Sequence, residues 1–210
     1  MRIKSTYLIF FTLILTTIIS CQNQKSNEPD LKRLDRWLEY YGLSLNHFTD
    51  TLMIKNNTFY TTAIDTASEY YKFFNDFYIF SPHKKYSIDL DSYYLALEKD
   101  HKGNLVCLGT EADQEVALLE LTKQERQRII FCGTACRAEE AQWIDNNNVL
   151  IMGFSQPKNK WIPHIWLFNP ENNSLKEIKA NEVQVIRKPN SYNQAVRLKH
   201  VVFTYKTQSQ

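Results

Sequence analysis

The 210-residue sequence is poor in the residues that usually mark chemistry or sharp turns: five glycines, six prolines and four cysteines. So few glycines leave no Gly-rich phosphate loop. No Gly-x-Ser-x-Gly nucleophile elbow or Ser-His-Asp pattern stands out, and the five histidines are scattered. The cysteines include no C-x-x-C, and none has a Cys or His partner at zinc-ligand spacing, which excludes a thioredoxin-like site and a zinc site. There is no basic excess to hold nucleic acid, because 25 Lys+Arg face 23 Asp+Glu. Disorder is excluded by a 43% apolar content with 13% aromatics, enough for a packed core.

The apolar residues are unevenly placed. Arg2 and Lys4 precede Tyr7 to Ile19, a run broken only by Thr12, Thr16 and Thr17. A spanning helix needs roughly 20 apolar residues, so this shorter run reads as a signal-peptide core. It ends in Ile18-Ile19-Ser20-Cys21, which resembles the lipobox of bacterial lipoproteins: a small residue before the cysteine, a branched apolar residue before that, and Ile18 where Leu is usual. The resemblance implies cleavage before Cys21, diacylglycerol (palmitate-type chains) on its sulfur, and stable attachment to a membrane of the cell envelope. Gln22 rather than Asp follows the cysteine, which by analogy with lipoprotein sorting favours the outer over the inner membrane. Residues 1–20 carry the whole formal +2, so the mature chain has 23 charges of each sign. Residues 21–29 read as a polar tether, and 30–210 as a single β-rich domain with an N-terminal helical segment.

In that domain Leu31, Leu34, Leu38 and Tyr41 mark one helical stripe, with Asp30 as cap and Gly42 as stop. Thr51–Ile54 and Thr58–Thr62 flank Lys55-Asn56-Asn57 as a hairpin. The stretch from Asp65 to Phe74 fits a helix or a strand. From Phe77 the text is β, with strands expected near 77–80, 86–90, 93–99, 105–109, 115–121, 128–132, 141–144, 149–154, 164–168, 174–178, 183–187 and 197–205. With glycine so scarce, the Asn-rich turns at 146–148 and 169–173 are expected to supply left-handed conformations.

Two stretches share an order of features. Phe80-Ser81-Pro82-His83-Lys84-Lys85-Tyr86 leads on to Glu115–Leu121, a turn, and Arg126–Ile130. Trp143-Ile144-Asp145-Asn146-Asn147-Asn148-Val149 leads on to His164–Phe168, a turn, and Ser174–Ile178. The second stretch lacks the insertion around Asp89–Asp113, which looks like an extra hairpin. The pattern resembles the blades of WD40-like and TolB-like β-propellers, although Pro82-His83-Lys84 stands where those prefer Pro-Asp-Gly. The stretch 77–210 holds about three such repeats of ~40–45 residues, and closure takes at least about four blades. The fold class expected is therefore mainly β with an N-terminal helix: antiparallel blade-like sheets forming an open propeller-like stack or twisted sandwich, not a closed propeller.

Export permits disulfides. Cys132 and Cys136 can close a tight loop, Cys107 can pair with either, or all three can stay reduced. Asp89 and Asp91 fall on one strand face with Glu98 and Asp100 nearby in sequence. Together with Glu139 and Glu140 they form the candidate ligand or cation site, or an acid/base pair of the kind that hydrolyses glycans. The same residues also serve wet strand faces or internal pairing, and the Tyr and Trp side chains serve a core as readily as a binding surface. No catalytic residue, metal or cofactor is assigned. The expected function is a non-catalytic cell-envelope lipoprotein, anchored by its N-terminal lipid, that binds a protein or other ligand or a second copy of itself. The alternatives are an envelope glycan- or peptide-acting hydrolase using those carboxylates, and a metal-binding envelope sensor.

Overall fold

The apolar runs after residue 77 become strands because each is short, rich in β-branched or aromatic residues and bounded by polar turns. The computed structural model describes residues 30–54, 59–181, 185, 188 and 190–204. The lipobox, the tether, the loop at 55–58 and nearly all of the strand expected at 183–187 lie outside them. In chain order the elements are α1 (Lys32–Tyr41), β1 (Phe48–Ile54), β2 (Thr61–Ala63), α2 (Glu69–Phe74), β3 (Ile79–Phe80), β4 (Tyr86–Asp89) and β5 (Leu95–Lys99). There follow β6 (Leu105–Thr110), β7 (Gln114–Glu120), β8 (Glu125–Cys132), β9 (Cys136–Trp143), β10 (Val149–Ser155), β11 (Ile162–Asn169), β12 (Ser174–Ala180) and β13 (Val202–Phe203).

Among the described residues three sheets form, none closed into a barrel. The first has the order β1-β12-β11-β10-β9, the second β2-β8-β7-β4-β3, and the third β13-β6-β5. The first two are built alike: four strands in meander order, with one early strand added beyond the last. The repeat seen in the sequence maps onto these equivalent strands, and the insertion after Asp89 is the β5–β6 hairpin. Among the described residues the pairings are antiparallel except β13 beside β6.

Alternation along the strands assembles the layers. Val149 and Ile151 of β10, with Trp166, Phe168 and Leu175, face Ile88, Val116, Leu118 and Ile129 of the second sheet. Leu150, Met152 and Phe154 face the opposite way, onto Leu34, Trp37, Leu38 and Tyr41 of α1. Leu119 of the second sheet turns outward to Phe74, Phe77, Leu95 and Cys107 beneath the third sheet. The central strands are thus buried on both faces, which is why they read as continuous apolar runs rather than as alternation.

Several local expectations change. The start of α1 is not capped locally: Leu31 occupies the cap position with no side-chain bond. The amides of Arg33 and Leu34 instead donate to Gln142 Oε1 at 2.8 and 3.0 Å. Its end is as expected, with Gly42 at φ 67°. No hairpin joins the strands around residues 55–57, because β1 pairs with β12 and β2 with β8, in different sheets. The ambiguous stretch before Asn75 resolves as α2, capped by Ser68 Oγ accepting from Tyr71 N–H. Of the asparagines in the Asn-rich turns only Asn173 takes a positive φ, which Lys84, Gln124 and Lys158 also adopt. The 146–148 turn is held by Asp145, whose carboxylate accepts from Asn147 and Asn148. The strand expected over 197–205 is mostly absent. Leu198 N–H donates to Asn193 O, five residues back, in a short π-helical turn, and among the described residues of that stretch only Val202–Phe203 extend, as β13.

Candidate functional site

The acidic residues singled out in the sequence are buried and internally bonded. β4 ends at Asp89, so Asp89 and Asp91 do not share a strand face. Asp89 Oδ1 accepts from the amides of Asp91 and Ser92 at 3.0 and 2.9 Å, which turns the chain. Its Oδ2 takes Arg126 Nη1 at 2.6 Å. Arg126 also bridges to Glu115, which Arg128 meets from the other side. Asp91, fully buried, receives both terminal nitrogens of Arg197 at 2.5 and 2.6 Å. Burial opposes the charge of Arg197, but the carboxylates around it, Asp91 first and then Glu140 and Glu139, together offset it and hold the guanidinium above its ordinary range.

Glu139 and Glu140 lie on β9 beneath α1. The register against β10 slips between Met152/Glu140 and Gly153/Ala138, which makes Glu139 the extra residue of a β-bulge. The bulge lets both glutamates face the helix. Glu139 accepts from Tyr41 OH at 2.8 Å and Trp37 Nε1 at 3.1 Å, and its carbonyl accepts from Arg197 Nε at 2.8 Å. Burial pushes its carboxyl upward, against the bonds from Tyr41 and Trp37. Glu140 takes Arg33 Nη1 at 3.0 Å and Tyr192 OH at 3.1 Å. Three of the four named carboxylates thus gather around Arg197, while Asp89 belongs to the separate Arg126 pair. Glu98 and Asp100 lie apart, on β5 and in the turn after it, where Asp100 bonds Lys102 and Asn104. Among the described residues no three His, Cys, Asp or Glu side chains are placed to hold a metal, and no helix is long and apolar enough to cross a membrane.

Cys132 and Cys136 are disulfide-bonded across the β8–β9 turn, and Cys107 is buried outside that pair. Beside this loop lies a constellation that the sequence reading missed. Ser155 Oγ stands 2.7 Å from His164 Nε2, and His164 Nδ1 stands 2.8 Å from Glu177 Oε1. The three residues come from β10, β11 and β12. Glu177 is further held by Trp166 Nε1 at 3.1 Å and Lys179 Nζ at 3.2 Å. The His164 bond, working against burial, keeps the Glu177 carboxyl below its usual range. The imidazole is 3% exposed and stacks on Trp166, whereas Ser155 is half-buried.

The separations 155, 164 and 177 match no familiar motif, but the register explains the meeting. His164 lies directly opposite Gly153 on one side and Lys179 on the other. Ser155 and Glu177 are the diagonal neighbours, two residues along on each flanking strand, and diagonal side chains on one face come within reach of long residues. Strand assignments combined with turn lengths were the signal that could have found them.

No protein-family model matches the chain, and no curated protein or solved structure is significantly similar to it. The fold and these side chains are therefore what bears on function.

Proposed function

We propose that the chain is a cell-envelope lipoprotein, tethered through Cys21, whose β domain binds a protein partner by strand addition. On this reading its buried acidic residues serve the fold rather than a hydrolytic reaction. The observation that carries the binding reading is β1. Among the described residues it is the outer strand of the first sheet, paired on one side with β12. Five of its seven residues are exposed, among them Leu52 at 54% and Met53 at 48%. Edge strands are normally blunted by lysine, proline or brevity. The sequence Phe-Thr-Asp-Thr-Leu-Met-Ile has no lysine and no proline, and its single charge is Asp50. Such an edge suits an extended segment of another protein, which adds backbone hydrogen bonds and lays apolar side chains beside Leu52 or Met53. The carboxylate-hydrolase alternative lacks a free acid–base pair, since Asp89, Asp91, Glu139 and Glu140 are each engaged by arginine, tyrosine, tryptophan or backbone amides.

A photo-crosslinking residue placed at Met53 in the lipidated protein tests this in the intact envelope. Strand addition predicts one crosslinked species that Leu52→Lys abolishes, with the amides of 49–53 protected from hydrogen exchange when that species is bound. A crosslink to a second copy would replace the foreign partner by a homodimer. No crosslink, or one indifferent to Leu52→Lys, refutes the edge as the binding surface. The anchor is tested separately: Cys21→Ser should release the protein from the membrane, and processing unchanged by this substitution and by globomycin would refute lipidation.

A further inference from the structure

The Ser155–His164–Glu177 chain goes beyond a binding role. A carboxylate only accepts hydrogen bonds, so the 2.8 Å contact to Glu177 Oε1 places a proton on His164 Nδ1. In the neutral imidazole Nε2 then carries a lone pair, and it faces Ser155 Oγ at 2.7 Å. This is the order of nucleophile, base and orienting acid that activates a hydroxyl, recognisable by geometry rather than by sequence position. Two donors, Trp166 Nε1 and Lys179 Nζ, fix the orienting carboxylate. The imidazole ring is locked by burial and by stacking on Trp166, while the hydroxyl sits at the end of β10, half-buried.

We propose that Ser155 is an activated nucleophile that takes the acyl group of a short-chain carboxylic ester. In the first step the Oγ–carbonyl bond forms as the proton passes from Oγ to His164 Nε2. The ester C–O bond then breaks, and Nε2 returns the proton to the departing alkoxide. Water, deprotonated by the same Nε2, releases the acid and restores Ser155. Glu177 stays ionised throughout and stabilises the imidazolium. The short acyl chain follows from the flanks. Ser155 is directly opposite Ile162 on β11 and disulfide-bonded Cys136 on β9, both half-buried, so an apolar cross-strand neighbour stands about 5 Å away on each side.

The test uses the folded wild-type chain with a small fluorophosphonate and with p-nitrophenyl acetate. The proposal predicts one phosphonylated peptide, containing Ser155, and ester turnover that Ser155→Ala abolishes. Removing the general base by His164→Gln should slow both by about a hundredfold or more. Glu177→Gln, at a less buried position, should slow both as well and serves where His164→Gln fails to fold. A folded wild type with Ser155 unlabelled overturns the proposal. So does labelling that persists undiminished in both His164→Gln and Glu177→Gln. The edge-strand reading is tested separately through Ser155→Ala, which leaves β1 intact and should leave the Met53 crosslink unchanged; Leu52→Lys is kept out of the ester assay, because Leu52 lies directly opposite Glu177.

Discussion

Replacing Arg197 by methionine should be among the most damaging single changes in the domain. Its guanidinium makes two charge-assisted bonds to Asp91, and its Nε–H satisfies the carbonyl of Glu139. Asp91 is 0% exposed, so the substitution strands a carboxylate with no solvent to receive it. Breaking a buried ion pair by removing one partner costs about 3–5 kcal/mol, and orphaning a buried carbonyl adds roughly 1–3 kcal/mol, not strictly additively. A loss near 4 kcal/mol or more is expected, a large part of the ~5–15 kcal/mol that holds a typical domain. With a urea slope of about 2 kcal/mol per molar, the unfolding midpoint should fall by roughly 2 M. Asp91→Leu should cost a comparable amount, because it strands the guanidinium instead. The double variant Asp91→Leu/Arg197→Met strands neither charge and should be less destabilised than the sum of the singles by about 2 kcal/mol. Urea titration followed by tryptophan fluorescence measures all four corners of the cycle. An Arg197→Met midpoint within about 0.5 M of wild type, or a strictly additive double variant, would refute the claim that this pair staples the C-terminal segment to the turn after β4.

Three further outcomes follow from the same structure. A Cβ at Gly153 would lie 2.0 Å from Arg137 O and 2.9 Å from Ala138 Cα, both backbone atoms, so Gly153→Ala must push β9 from β10. It should cost about 3 kcal/mol or more, and an unchanged thermal midpoint would show that the bulge is not held so closely. Glu139 has its carboxyl raised by burial, so the stability it lends is present below the unfolded-state value and is lost as pH rises through the folded one. Urea midpoints from roughly pH 4 to 8 should therefore decline more in wild type than in Glu139→Gln, and parallel profiles would contradict the assignment. Reducing the disulfide, whose cysteines are four residues apart, should cost about 2 kcal/mol by loop entropy, and denaturation that is the same with and without reductant would show that the bond is absent.

What the sequence disclosed about the fold was local, and what it concealed was partner choice. The strands from β7 to β12 are legible because each apolar run is closed by a polar turn, and the extra hairpin is legible because it interrupts a repeat. The hairpin expected around residues 55–57 fails for a different reason. The segments 51–54 and 61–63 do form strands, but their partners lie more than 60 residues away, on β12 and β8. The same distance hides the cap of α1, since Gln142 does for Arg33 and Leu34 what Asp30 was expected to do. Trp37 escaped the apolar stripe, yet it is fully buried and packs on Phe154 and Phe48, because the helix lies flat on a sheet and needs a wider apolar face than one row. Arg197 read as part of a strand because nothing local shows that an arginine has a buried carboxylate waiting 106 residues earlier.

The two polar constellations differ in what they join, and that difference separates structure from chemistry. Glu139 ties α1 to β9, Glu140 ties α1 and Tyr192 to β9, and Asp91 ties the turn after β4 to Arg197. Those elements have few backbone bonds between them, so these side chains, with the apolar face of α1, fix their docking. Ser155, His164 and Glu177 join only β10, β11 and β12, whose backbones are already paired through full ladders. Their side-chain bonds add little that the strands need. Ser155→Ala removes the partner of His164 Nε2 at a half-buried position that water can enter, so it should shift the urea midpoint by about 0.5 M, where Arg197→Met shifts it by roughly 2 M. A relay that the fold does not require, with a buried base and a half-buried hydroxyl at a strand end, is the arrangement that reaction rather than stability would explain. A large loss of stability in Ser155→Ala would reverse that assignment and return the three residues to the scaffold.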